Sequence, residues 1–141
     1  MPSSLDNQKE LLQRAIAAEE SWDLDLLISL RTSDATHQLL PKTLDWPELD
    51  NAGVKEHMGR LAPVFKGGDY KIEIYSTVHD AEAHQASVYC MQTATTATPA
   101  GDFAMETVWL FSFTEDGTKI TSVKEFVDSG YLTGWLAKLQ G

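Results

Sequence analysis

Two stretches decide how this chain folds: NAGVKEHMGRLAPVFK, Asn51 to Lys66, and FAMETVWLFSF, Phe103 to Phe113. In the first, Val54, His57, Met58, Leu61, Ala62 and Phe65 recur at i, i+3, i+4, i+7, i+8 and i+11, which is one face of a helix. In the second, Phe103, Met105, Thr107, Trp109, Phe111 and Phe113 fall on every other residue, which is one face of a strand. Helical periodicity fills the first half of the chain, alternation fills most of the second, and a short helix follows the last strand. That order predicts one α+β domain over residues 1–141, with a curved, mostly antiparallel sheet wrapped around the N-terminal helices. Such wrapping encloses an apolar cavity with a few titratable groups.

Outward from these stretches, Ser3 and Asp6 give a capping signal for a helix from about Asp6 to Glu20, with Leu11, Leu12, Ala15, Ile16 and Glu19 on one stripe. Asp23 caps a shorter helix bearing Leu24, Leu27, Ile28 and Leu30. Asp34 to Leu40 reads as a short strand, 41–51 as a loop, and Gly67-Gly68-Asp69 as the end of the central helix. Tyr70, Ile72, Ile74 and Val78 mark the buried face of the next strand, and Ala86, Val88, Cys90 and Ala94 that of the one after. Asp116-Gly117 signals a hairpin before a strand from Ile120 to Val127, and Asp128-Ser129 caps a final helix. With a two-residue turn at Asp116-Gly117, Trp109 opposes Lys124. Trp109, Phe111, Phe113, Phe126 and Asp128 then share one side, and Glu106, Val108, Leu110, Val123, Glu125 and Val127 the other. A one-residue bulge would swap one strand of this assignment.

Composition narrows the function. With 21 acidic against 11 basic residues the net charge is −10, and no basic stripe is present. Nucleic acid and anionic membrane are therefore not expected partners. The N-terminal residues lack the pattern of a secretory signal. The single Cys90 excludes an intrachain disulfide framework, which fits a reducing, cytoplasmic compartment.

His57 is the sharpest candidate for chemistry: an imidazole on an apolar helical stripe can move a proton near neutral pH, or sit as a satisfied core residue. Asp128 can cap the last helix or point a carboxylate into the cavity mouth. His37, sharing a strand face with Ala35 and Leu39, can bind a ligand oxygen or satisfy the backbone. Glu106 is a catalytic acid if it faces inward, and Glu125 shares its expected face. The run from His79 to His84 reads as a turn rather than a metal site, and no zinc, phosphate-loop or serine-hydrolase motif occurs.

The segments HQLLP (37–41), LAPVF (61–65), ETVWLF (106–111), EDGTKI (115–120) and EFVDS (125–129), in this order of elements, resemble the SnoaL-like polyketide cyclase and isomerase family of the nuclear transport factor 2-like superfamily. Within it the resemblance is strongest to small fungal members of polyketide and meroterpenoid pathways. It covers nearly the whole chain. It implies a cone-shaped domain, a homodimer built across the sheets, and cofactor-free acid–base chemistry on a bulky, mostly apolar small molecule. Asp128 falls where such proteins often carry an acid–base carboxylate. The expectation is an isomerase or cyclase in which Asp128 or Glu106 removes a proton beside a carbonyl and His57, with His37, returns one. Trp109, Phe111, Phe126, Phe65 and Met105 would hold the substrate. A dehydratase, a hydratase or a non-catalytic binding module is the alternative.

Overall fold

Ser3 and Asp6 close a reciprocal capping box, each side chain accepting the other's backbone N–H, and so start α1 (Ser4–Ser21). The helix ends at Trp22, whose left-handed backbone (φ 56°) turns the chain into α2 (Leu24–Ser29), capped by Asp23. Strand β1 (Arg31–Leu40) follows, longer than the sequence pattern indicates because the polar run Arg31–Asp34 already belongs to it. A 3-10 turn (Lys42–Leu44) interrupts the next loop, and Asp50 caps α3 (Asn51–Phe65). Strands β2 (Lys71–Asp80), β3 (Gln85–Ala94), β4 (Phe103–Phe113) and β5 (Ile120–Val127) lead to α4 (Ser129–Leu139). This computed structural model describes residues 3–141. Met1 and Pro2, part of the N-terminus read above for a secretory signal, lie outside the described residues.

The strands form one open sheet in the order β1-β5-β4-β3-β2. Strands β2 to β5 run antiparallel as a meander, and β1 returns to pair parallel with β5. Four helices and a mixed sheet make the α+β architecture that the sequence predicts. One sheet face is covered by α1, α3 and α4, and the core lies between them, from Leu11, Leu12 and Ala15 through Val54 and Met58 to Val88, Trp109 and Trp135. The other face leaves Tyr75, Val78, Tyr89, Leu110 and Phe126 exposed. Among the described residues no helix is long and apolar enough to cross a membrane.

Two bulges correct the expected strand faces. In β2 the register shifts between Ile74 and Ser76, so Tyr75 is the extra residue and the alternation changes phase. Val78, expected inside, is 60% exposed. In β4–β5 the hairpin begins in the expected register, with Phe113 opposite Ile120. Ser112 then pairs with Ser122, which leaves Thr121 as the bulged residue and puts Trp109 opposite Glu125 instead of Lys124. The faces of β4 are as expected, while those of β5 are exchanged: Val123, Glu125 and Val127 point to the helices, Lys124 and Phe126 away from them.

The β4–β5 turn is also pinned to the first helix. Asn7 Nδ2 donates to the Asp116 carbonyl at 2.9 Å, and Gly117 adopts φ 78°. A Cβ on Gly117 would lie 2.4 Å from the Ser4 carbonyl oxygen, a backbone atom that cannot move aside without shifting α1. Gly117→Ala should therefore destabilise the fold by about 2–3 kcal/mol, combining a left-handed backbone with this clash. Urea unfolding would read it as a lower midpoint at unchanged slope.

Candidate active site

The Thr121 bulge is what brings a carboxylate into the cavity. Glu125, turned inward, meets His37 on the neighbouring parallel strand, with His37 Nε2 3.0 Å from Glu125 Oε1. Each side chain is only 13% exposed, so the pair is shielded from bulk solvent. The backbone N–H and C=O of His37 bond Leu49 at 2.8 Å each, which fixes the imidazole from the opposite side of its strand.

The pair opens into a pocket between the sheet and the ends of α1, α3 and α4. Its aromatic wall is a packed column: Trp22 stacks on Phe65 at 5.1 Å, Phe65 on Trp135 at 5.8 Å, and Phe103 meets Trp135 edge-on at 4.9 Å. Met58, Leu61, Met105, Leu132 and Leu136 complete the apolar lining. The space open to the centre of a water-sized sphere is about 80 Å³. A bulky ring system would have to displace the half-buried rim, of which Leu61 and Leu136 are part.

Three more polar elements reach this pocket. Glu19 enters from the last turn of α1. Burial, reinforced by the Glu125 charge and opposed by Arg31, pushes its pKa up to about 8. His57 enters from α3, edge-on to Trp46 at 5.2 Å. Burial holds it below the usual histidine range, with Glu125 pulling it up and His37 and Arg60 pushing it down. Tyr70 donates its hydroxyl proton to Gln92, and Gln92 Nε2 donates to Thr107 Oγ1 at 2.8 Å. Burial keeps Tyr70 protonated far above neutrality. The buried indole Nε1 of Trp22 has no protein partner. Burial thus favours the protonated form of Glu19 and the uncharged form of His57, beside the hydrogen-bonded Glu125–His37 pair.

The sequence-derived candidates divide accordingly. His57, His37, Phe65 and Met105 line the pocket. Asp128 does not: it is exposed and caps α4, accepting from Tyr131 N at 3.2 Å. Glu106 lies on the outer face, where Tyr89 donates to it, because its neighbours Met105 and Thr107 take the inward positions. Phe126 is 44% exposed on that same outer face, a consequence of the bulge. Trp109 and Phe111 point inward but line a second, smaller cavity beneath the first. Cys90 is a buried thiol, pushed up to about 12 by burial and by the nearby carboxylates. His79 to His84 includes the β2–β3 turn, and no group of three or more metal-ligating side chains converges among the described residues. Glu19 and Glu125 line the pocket although the sequence does not put either among the expected catalytic residues; Glu125 enters there only as sharing the expected face of Glu106. Glu19 had left a trace as an acid on an otherwise apolar stripe.

No family model matches the chain. Monooxygenase AgnL5 of Paecilomyces divaricatus is 31% identical over 132 residues, 94% of this chain and 80% of that protein. Among solved structures, the BvnE pinacolase of Penicillium brevicompactum superposes with a TM-score of 0.88 at 18% identity, covering 98% of this chain and 94% of the other. A Shewanella denitrificans protein named for its likeness to SnoaL polyketide cyclases gives 0.72 at 14% identity, covering 92% and 96%. The chain belongs to the same family as AgnL5, and it shares the fold of the BvnE pinacolase and of the SnoaL-like cyclase. Its sheet and helices leave a pocket between them, furnished with Glu19, His37, His57 and Glu125.

The buried acid makes stability depend on pH in a definite direction. The pKa of Glu19 is raised on folding, from about 4.5 to about 8. Below the lower value both states hold the proton. Between the two values the unfolded chain releases it while the folded protein keeps it, so stability falls as pH rises and levels off above about 8. The loss is on the order of a few kcal/mol. Glu19→Gln removes it: denaturant unfolding at pH 5 and at pH 8.5 should show a large drop for wild type and a much smaller one for the variant.

Proposed function

We propose that this protein is an acid–base enzyme that isomerises or cyclises a bulky, largely apolar, carbonyl-bearing intermediate. One observation carries the reading: two carboxyl groups, Glu19, whose pKa burial pushes up to about 8, and Glu125, bonded to His37, line the same apolar pocket. Two carboxyl groups in different protonation states are the equipment for removing a proton from one atom and supplying one to another. Glu125, steadied by His37, takes the proton from the carbon beside the carbonyl. Glu19 faces the oxygen on which charge develops and stabilises it as an enol or enolate. Glu125, now carrying that proton, returns it to carbon at the new position, and where an internal nucleophile adds instead, the uncharged His57 takes that nucleophile's proton. The aromatic column holds one conformer of the substrate through the sequence. The names of the pinacolase and polyketide cyclase neighbours, and the fungal cluster proteins among the relatives, support this class of reaction.

The name of AgnL5 favours a second reading that uses the same first step. The carbanion left by proton removal can react with dioxygen. Loss of water from the resulting hydroperoxide gives a ketone, R2CH2 + O2 → R2CO + H2O, with dioxygen as the only oxidant. Oxygen uptake and incorporation of labelled oxygen into product separate this outcome from isomerisation, which conserves the substrate's formula.

Purified protein incubated with candidate polyketide intermediates, with products identified by mass and retention time, tests both. Glu125→Gln and Glu19→Gln should each lower kcat by roughly 10²–10⁴-fold, and His57→Ala should lower it as well. Asp128→Asn should retain near-normal turnover. The wild-type rate should decline as pH rises through about 8, where Glu19 ionises. Full activity of both glutamine variants would remove the acid–base account.

A further inference from the structure

The substrate pocket opens at one wall. Of the apolar side chains that line it, Trp46, Leu49, Leu61 and Leu136 are half-buried and the others are buried. The same four, with His57, also line a groove on the protein surface. The groove continues outward over Pro47 and Leu139. It offers about 600 Å³ to the centre of a water-sized sphere, against about 80 Å³ in the pocket. Its walls are held in place. Gln38 Nε2 donates to the Trp46 carbonyl at 2.9 Å, and Leu49 exchanges two backbone hydrogen bonds with His37, so the 41–51 loop is fastened to β1. Trp46 in turn lies edge-on to His57 at 5.2 Å. From the opposite side the last turns of α4 present Leu136 and Leu139 as i, i+3 neighbours. The charges on the groove are matched: Arg60 bonds Glu56 one turn away on α3, and among the described residues no other lysine, arginine or carboxylate lines it.

We propose that this groove is a second binding subsite, which takes an uncharged apolar arm of the substrate, such as an alkyl chain, while the carbonyl-bearing part lies in the pocket. Which end goes inward rests on the acid–base reading. The groove and its continuity with the pocket stand without it. The arm leaves the pocket past Leu61 and Leu136, the rim that a bulky ring has to displace. Beyond the rim it lies between Trp46 and Pro47 on one side and Leu139 on the other, where each methylene placed against them is removed from water. A charged arm finds no such match. An anion meets Glu56 and a net charge of −10, and a cation meets Arg60. Contacts in the groove are remote from the reacting atoms. Their use is to hold the carbonyl end against Glu19 and Glu125 and to close the mouth behind it.

Binding of uncharged 4′-alkylacetophenones, from methyl to pentyl, tests the subsite without turnover. Wild type should bind each longer member about two- to fourfold more tightly than the one before. In methyl NMR the Leu139 signals should shift with the pentyl compound and not with the methyl one. Leu139→Asp and Pro47→Asp each put a charge on the groove and none on the pocket. Both should flatten the dependence on chain length and leave affinity for the methyl compound near wild type. Pro47 is an exposed loop residue, so its variant keeps the fold even where Leu139→Asp loosens α4. An analogue whose pentyl chain ends in a carboxylate should bind more weakly than the pentyl compound. Tighter binding of that analogue, lost in Arg60→Ala, would show a groove built for an anion and overturn the proposal. Affinity independent of chain length in wild type, or a dependence unchanged in both variants, overturns it whatever the activity. If affinity climbs with chain length and the variants flatten it, yet no candidate intermediate is turned over, the acid–base function falls and the subsite stands.

Discussion

The site depends on one extra residue. Thr121 bulges from β5 two positions before Val123, and every side chain after it in that strand changes sides. Without the bulge, Lys124 and Phe126 would face the helices, and the cavity would receive a cation and a ring where it now has a carboxylate. With it, Glu125 stands beside His37 on the only parallel pairing in the sheet. The parallel register pairs His37 with Val123 and Leu39 with Glu125, so the two side chains share one face of adjacent strands and meet across a diagonal. The arrangement of acid and imidazole is thus a consequence of backbone pairing, held by ladder hydrogen bonds and not by side-chain packing alone.

Such a site is expensive for the fold. Glu19, Arg31, Glu125 and two histidines occupy space that apolar side chains would fill with less desolvation. The cost is limited in two ways. Glu19 keeps its proton, which avoids placing a second negative charge close to Glu125. Arg31 is bonded to Asn51, whose amide in turn donates to the Thr32 carbonyl at 2.9 Å, so one buried cation ties the start of β1 to the start of α3. The same clamp sets the distance between the strand that carries His37 and the helix that carries His57. Groups whose ionisation opposes folding cluster at sites of chemistry more often than elsewhere.

Much of the fold was legible in the sequence because the strongest signals are local. The capping pair Ser3 and Asp6, the central helical stripe and the six-residue alternation in β4 each depend on neighbours within a turn or a strand, and each appears where expected. His57 and His37 were legible as polar exceptions on apolar faces. Glu125 was not, because its orientation depends on a bulge, and a bulge depends on how two strands and the Asn7–Asp116 contact settle together across more than a hundred residues. Asp128 misled for the complementary reason. Its family-like position at a strand end is real, but with the register moved by one residue its side chain serves the α4 backbone. Phe126 and Val78 failed by the same mechanism, each lying beyond a bulge that reverses the alternation.

Trp22 shows how the helical layer meets these demands. A non-glycine residue in the left-handed region carries a strain of about 1 kcal/mol or more. Glycine would relieve it and satisfy the helix end equally well. Glycine, however, has no ring to stack on Phe65 and Tyr70. Trp22 ends α1 one turn after Glu19, so the same turn that stops the helix places the acid and the indole against one cavity. Stacking on Phe65 then carries this wall across to α3, and through Trp135 to α4. The strained residue is where the acid, the aromatic wall and the helix terminus are made compatible, and burial of the indole against the rings of Phe65 and Tyr70 offsets its backbone strain several-fold.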